Sequence, residues 1–163
     1  MAPRRRNLLT ATLVVTVACL ATAAGILAAA RTKAAPQRFD LAAGFPSFAR
    51  GYQLSLTTAI IPPGAGFPPH RHPGMQVSYV ERGTLQFTVY RSHVDVFSGT
   101  PGESQKLVRV IRAGQTGYIR AHQWIIETPS LWHRGANVGR TRVVIRLATL
   151  LRKGEPAAIP VKP

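Results

Sequence analysis

The chain has 163 residues, 45% of them apolar, and 21 Lys and Arg against 6 Asp and Glu give a formal net charge of +15. That length serves one domain with a real core rather than two. The single cysteine, Cys19, lies in the N-terminal apolar stretch, which excludes a disulfide framework and a thiolate metal site from the folded part. Any metal there must be held by His, Gln, Glu or Asp.

Three consecutive arginines, Arg4 to Arg6, precede a charge-free apolar run from Leu8 to Ala30. A basic head, an apolar body and the small residues Ala28, Ala29 and Ala30 predict a signal peptide or an uncleaved anchor helix over residues 1–30. Arg5-Arg6-Asn7-Leu8-Leu9 is similar to a twin-arginine export signal. Arg31, Lys33 and Arg38 follow the run, and positive charge there works against simple export. Cleavage with secretion and retention in the membrane both stay open. Either one puts the domain outside the cytoplasm, and retention makes the membrane a partner through the N-terminal segment. Residues 31–49 read as a linker with a short helix, in which Phe39, Phe45 and Phe48 are expected to cover one mouth of a barrel.

The remaining basic residues are scattered singly, without a cluster and without interleaved aromatics. That distribution argues for an arginine-rich solvated surface and against nucleic acid as a partner.

From about residue 50 the pattern is β. Gln53 to Thr57, Leu85 to Tyr90 and Val143 to Leu150 alternate apolar and polar residues, and Leu107 to Ile111 is apolar on both faces. Pro62-Pro63-Gly64, Gly83, Gly99-Thr100-Pro101-Gly102, Gly114, Pro129 and Gly139 punctuate these runs. Short strands between such turns predict an all-β sandwich or barrel over residues 50–152, followed by a tail at residues 153–163. Phe87, Tyr79 and Tyr118 are expected in its core, and His93 and His122 in solvent.

Two histidines one residue apart, His70 and His72, stand at a strand entrance. Side chains two apart on a strand share a face, so both aim one way, with Gln76, Ser78 and Val80 on the same parity. Gly64, five residues, His70, Arg71, His72, three residues, Gln76, six residues and Gly83 resemble the first motif of the cupin superfamily, which has Glu where Gln76 stands. Pro129, His133 and Asn137 resemble its second motif, with the turn after Pro129 one residue short and Gln123 where a Gly is usual. The resemblance covers roughly residues 50–150. It implies a cupin jelly-roll barrel and a divalent transition metal (Fe, Mn, Ni, Zn or Cu) held by His70, His72, His133 and Gln76. A homodimer is implied on the same ground.

Gln76 is the informative departure. A neutral amide oxygen is a weaker donor than a carboxylate, so metal affinity should fall while Lewis acidity and the pull on an anionic ligand rise. Glu127 has the parity of His133 and can supply the missing carboxylate as a ligand, as a partner of an imidazole, or as a catalytic general base. A strand-end acid paired with an arginine is the competing reading. Three functions stay open: a metal-dependent dioxygenase or isomerase acting on a small anionic molecule, a non-catalytic metal- or ligand-binding module at the cell surface, and a basic adhesion unit with a vestigial pocket.

Overall fold

The computed structural model describes residues 34–163. The signal or anchor segment at residues 1–30, with its expected helix, therefore lies outside the described residues. Among the described residues there is no helix, and so none long and apolar enough to cross a membrane.

Twelve strands follow in chain order: β1 (Gln37–Gly44), β2 (Tyr52–Ile61), β3 (His70–Arg71), β4 (Gly74–Arg82), β5 (Thr84–Arg91), β6 (His93–Ser98), β7 (Lys106–Arg112), β8 (Thr116–Arg120), β9 (Gln123–Glu127), β10 (Trp132–Ala136), β11 (Val143–Arg152) and β12 (Ile159–Pro160). They form a seven-stranded sheet in the order β1-β2-β11-β4-β9-β6-β7 and a five-stranded sheet in the order β12-β3-β10-β5-β8, all pairs antiparallel. These two antiparallel sheets are what the jelly-roll expectation requires.

One apolar cluster joins the sheets. Ala59, Val80, Ile125, Ile145 and Leu147 come from the larger sheet, and Leu85, Phe87, Val89 and Ile119 from the smaller. The alternation read from the sequence produces this burial directly. In β4, Gly74, Gln76, Ser78 and Val80 are buried while Met75, Val77 and Tyr79 are exposed. Gly83 links β4 to β5 at a φ of 85°, in the left-handed region where a side chain is strained, and a Cβ there would press on the Arg142 carbonyl.

Several expectations are corrected. The segment read as a linker with a short helix contains β1, which pairs with β2 from Gln37 opposite Ile60 to Gly44 opposite Leu54. Its apolar residues face out and its charged ones face in, the reverse of the usual pattern. Phe39, Phe45 and Phe48 are 45%, 65% and 87% exposed, so they cover no barrel mouth. Tyr79 and Tyr118 lie on the outer sheet faces, whereas Phe87 is core. Of the apolar residues in β7, an edge strand, only Ile111 is buried. The tail is not free either: Ile159 and Pro160 pair with Arg71 and His70 of β3.

Candidate metal centre

Both short strands of the smaller sheet serve the site. His133 of β10 lies directly opposite His70 of β3 on one side and Val89 of β5 on the other. The register between β10 and β5 slips at this point: Trp132 pairs with Arg91, but His133 pairs with Val89, so Tyr90 is passed over. Without the slip His133 would stand opposite Tyr90, whose side chain points away from the core. The irregularity thus absorbs the shortened turn after Pro129 and keeps the imidazole inside. Phe87 stacks on the His133 ring, with centroids 4.7 Å apart and planes 15° from parallel.

The ligand atoms of His70, His72 and His133 lie within 4.8 Å of one another, and all three residues are buried. Ring centroids are 4.4 Å apart for His70 and His133, and 4.9 Å for His70 and His72. Backbone carbonyls orient two of the rings. His70 Nδ1 donates to the Pro68 carbonyl at 2.7 Å, and His72 Nδ1 donates to the Ala157 carbonyl at 2.5 Å. Each bond fixes the proton on Nδ1 and leaves Nε2 for the centre of the cluster.

The other two predicted residues arrive from the opposite sheet. Ser55, Thr149, Gln76 and Glu127 are register partners in a row across β2, β11, β4 and β9, all buried. Glu127 Oε2 lies 2.8 Å from His133 Nε2 and 3.1 Å from His72 Nε2. Its Oε1 accepts a hydrogen bond from Ser78 Oγ. Gln76 Nε2 lies 3.0 Å from His72 Nε2, and Gln76 Oε1 is buried with no partner among the described residues. Glu127 is therefore not a strand-end acid paired with an arginine; its carboxylate joins the imidazoles.

Electrostatics follow from this enclosure. Burial pushes His70 down from 6.5 to about 4, and His133 and His72 push the same way, against the Pro68 carbonyl and Glu127. Burial alone would raise the Glu127 carboxyl, but the His133 and His72 imidazoles outweigh it and hold the group well below the usual carboxylate range. The site thus offers neutral His70 beside an ionised Glu127 at neutral pH.

The cluster opens on a cavity of about 130 Å³ with largely apolar walls, among them Ile61, Phe67, Leu85 and Phe87. Two contributors were missed by the sequence reading. Arg38 of β1 lines this cavity, and the Ala157 carbonyl fixes His72. Arg38 would have been found by reading residues 37–44 as a strand; no residue type marks a backbone carbonyl. Asn137 is fully buried and braces the turn before β11. Its Nδ2 donates to the Ile61 and Thr141 carbonyls at 2.8 Å, and its Oδ1 accepts from the Gly139 amide at 2.9 Å. His93 and His122 are exposed, with His122 Nδ1 2.9 Å from the Tyr79 hydroxyl. Trp132 lies beneath the Arg91 guanidinium rather than in the cavity wall.

Residues 57–104 match the family model described as Cupin domain. Similar solved structures include a cupin 2 domain-containing protein from Halorhodospira halophila, 12% identical over 78% of this chain and 71% of that one, with a TM-score of 0.49. A cupin superfamily protein from Desulfitobacterium hafniense is 12% identical over 71% of this chain and 77% of its own, with a TM-score of 0.46. A protein with a double-stranded beta-helix domain from Klebsiella pneumoniae is 16% identical over 78% and 85%, with a TM-score of 0.44. No curated protein matches the chain.

Proposed function

We propose that this chain, whose residues 57–104 match the Cupin domain model, is a cupin that holds one divalent transition metal on His70, His72 and His133, with Glu127 as the carboxylate ligand that position 76 lacks. The observation that carries the reading is the convergence on two nitrogens. His72 Nε2 meets the Gln76 amide nitrogen at 3.0 Å and Glu127 Oε2 at 3.1 Å, and the same oxygen meets His133 Nε2 at 2.8 Å. With Nδ1 turned to the Ala157 carbonyl, His72 Nε2 points at the same spot as Glu127 Oε2 and the Gln76 amide, where a shared cation would fit. The 3.1 and 2.8 Å separations of Glu127 Oε2 from His72 and His133 Nε2 are short enough for these atoms to hold one ion together.

The donor set fits the ion in kind as well. Imidazole and carboxylate suit Fe, Mn, Ni, Zn or Cu. Rotating the Gln76 amide by half a turn would bring its unpartnered oxygen toward the centre, where it would be a weak extra ligand. A bound metal supplies Lewis acidity and open positions for a small molecule. Around it the chain's own residues have distinct work. The Pro68 and Ala157 carbonyls hold the rings in place. Ser78 steers one oxygen of Glu127 and leaves the other beside His133 and His72, where it would help hold an ion; both imidazoles would have to present an unprotonated Nε2 to do the same. The apolar walls exclude water and leave space for a small anionic guest. We assign the domain to the outside of the cytoplasm, secreted or tethered by residues 1–30.

Metal analysis of protein purified without chelator tests the centre. One transition ion per chain is expected in the wild type and none in a His70→Ala, His72→Ala double variant that still folds. Equal metal in both would end the reading. A non-catalytic receptor is the second reading. It is favoured by the engagement of Glu127 with Ser78, His72 and His133, which leaves no free carboxylate for general-base work. Steady turnover of small phenols, diketones or organic acids by the metal-loaded protein would reject the receptor and favour a dioxygenase or isomerase.

A further inference from the structure

Arg38 stands opposite Ala59 of β2, Ala59 opposite Ile145 of β11, and Ile145 opposite Val80 of β4. Register partners share a sheet face, and the last three are all core residues, so Arg38 also enters from the inner face. Its partner is an alanine, which leaves room for a long side chain. The side chain reaches the cavity that holds His70, His72, Gln76, Glu127 and His133.

Among the described residues Arg38 makes no ion pair and no side-chain hydrogen bond. Burial lowers its pKa while Asp40 and Glu127 act in the opposite sense, and the group stays cationic at any physiological pH. Asp40, the other inward charge on β1, accepts a hydrogen bond from Thr57 Oγ1 at 2.6 Å. Glu127 is taken up by Ser78 and the imidazoles. A guanidinium presents five donors in a planar fork, and leaving it half-buried and unpaired is costly. The rest of the cavity offers few donors, because Ser78 already donates to Glu127 and most other walls are apolar. Apart from an ion held at the imidazoles, a phosphate or dicarboxylate would bury oxygens with no partner. A single carboxylate would not.

We propose that Arg38 is the specificity-determining residue of this pocket, pairing its guanidinium with the carboxylate of a small monocarboxylic acid whose apolar body fills the remaining space. The inference rests on the pocket reading above and deepens it by naming the guest. A cavity of about 130 Å³ is near the roughly 150 Å³ that accommodates benzene, which limits the body to about four to seven carbons.

The test uses full-length protein, with benzoate and butyrate as probes and benzamide and butyramide as neutral matches. Calorimetric titration is run on metal-free and zinc-loaded wild type, Arg38→Gln and Arg38→Lys. The expected result is a preference for acid over amide of roughly tenfold or more in the wild type, reduced to near unity in Arg38→Gln and partly kept in Arg38→Lys. In labelled wild-type protein the Arg38 Nε–H resonance should move with benzoate and stay still with benzamide, which decides the matter even if Arg38→Gln fails to fold. The proposal is overturned if Arg38→Gln keeps the acid preference, if the wild type has none, or if the Nε–H signal ignores benzoate. Failure of the wild type to take up zinc would sink the metal centre alone, because the metal-free arm still reads Arg38.

Discussion

Acid should loosen the metal-free domain well above the usual carboxylate range, with His70 as the cause. Folded His70 titrates at about 4 and its ordinary value is 6.5. Between those two values the unfolded chain carries a proton that the folded chain refuses, so stability rises with pH and is lost as pH falls from 6.5 toward 4. Between pH 7 and 4.5 the window covers about 2 pH units, at about 1.4 kcal/mol each, or about 3 kcal/mol. Glu127 acts lower: its depressed folded pKa contributes stability that is present above its unfolded value of 4.5 and lost below it. Urea unfolding at pH 7.0 and 4.5, in chelator, measures the loss in wild type and in His70→Asn. Subtracting one loss from the other cancels the surface carboxylates. The wild type should lose about 3 kcal/mol more than the variant. Equal losses in the two proteins would refute the argument that burial among imidazoles keeps His70 neutral.

Three further outcomes are expected. Glu127→Gln should raise the metal dissociation constant by roughly 10- to 100-fold or more in competition with a chromophoric chelator, while the fold persists; unchanged affinity would remove Glu127 from the ligand set. Gln76→Glu sets a second carboxylate directly opposite Glu127, so it should melt below wild type in chelator yet gain more than wild type on adding metal; identical metal responses would place position 76 away from the ion. Asn137→Ala deletes three hydrogen bonds, one buried and two partly buried, and should cost about 3 kcal/mol, a fall in Tm on the order of 10 °C by calorimetry. A shift of only a degree or two would mean that the turn holds without it.

The site was legible where period and spacing act together. The parity of His70, His72, Gln76 and Ser78 is a property of one regular strand entrance, and Glu127 could be placed by counting back from His133. The role of the slip beside Tyr90 was hidden, because a bulge is decided by pairing between strands and not by either strand alone. β1 was lost for a different reason. Its inward residues, Arg38 and Asp40, are charged and its outward ones, Phe39 and Leu41, are apolar, so the alternation is present with its sign inverted. The outer position of Tyr79 and Tyr118 has the same root: aromatic residues suit either face of a sheet, and only the neighbours decide which one is wet. The tail gave no signal because it contributes through a main-chain oxygen.

That oxygen links chain integrity to the pose of the His72 ring. Ala157 lies 85 residues from the ring it steadies, and beyond it the two-residue strand β12 and the Val161 amide, which donates to the Pro69 carbonyl, tie the tail down. The stretch from Lys153 to Pro156 is exposed. A protease that nicks there would spare the sandwich and its melting transition, yet it would let the His72 imidazole swing and weaken any hold on an ion. The tail thus acts as a latch on one imidazole, and cutting it would loosen that ring without unfolding the sandwich.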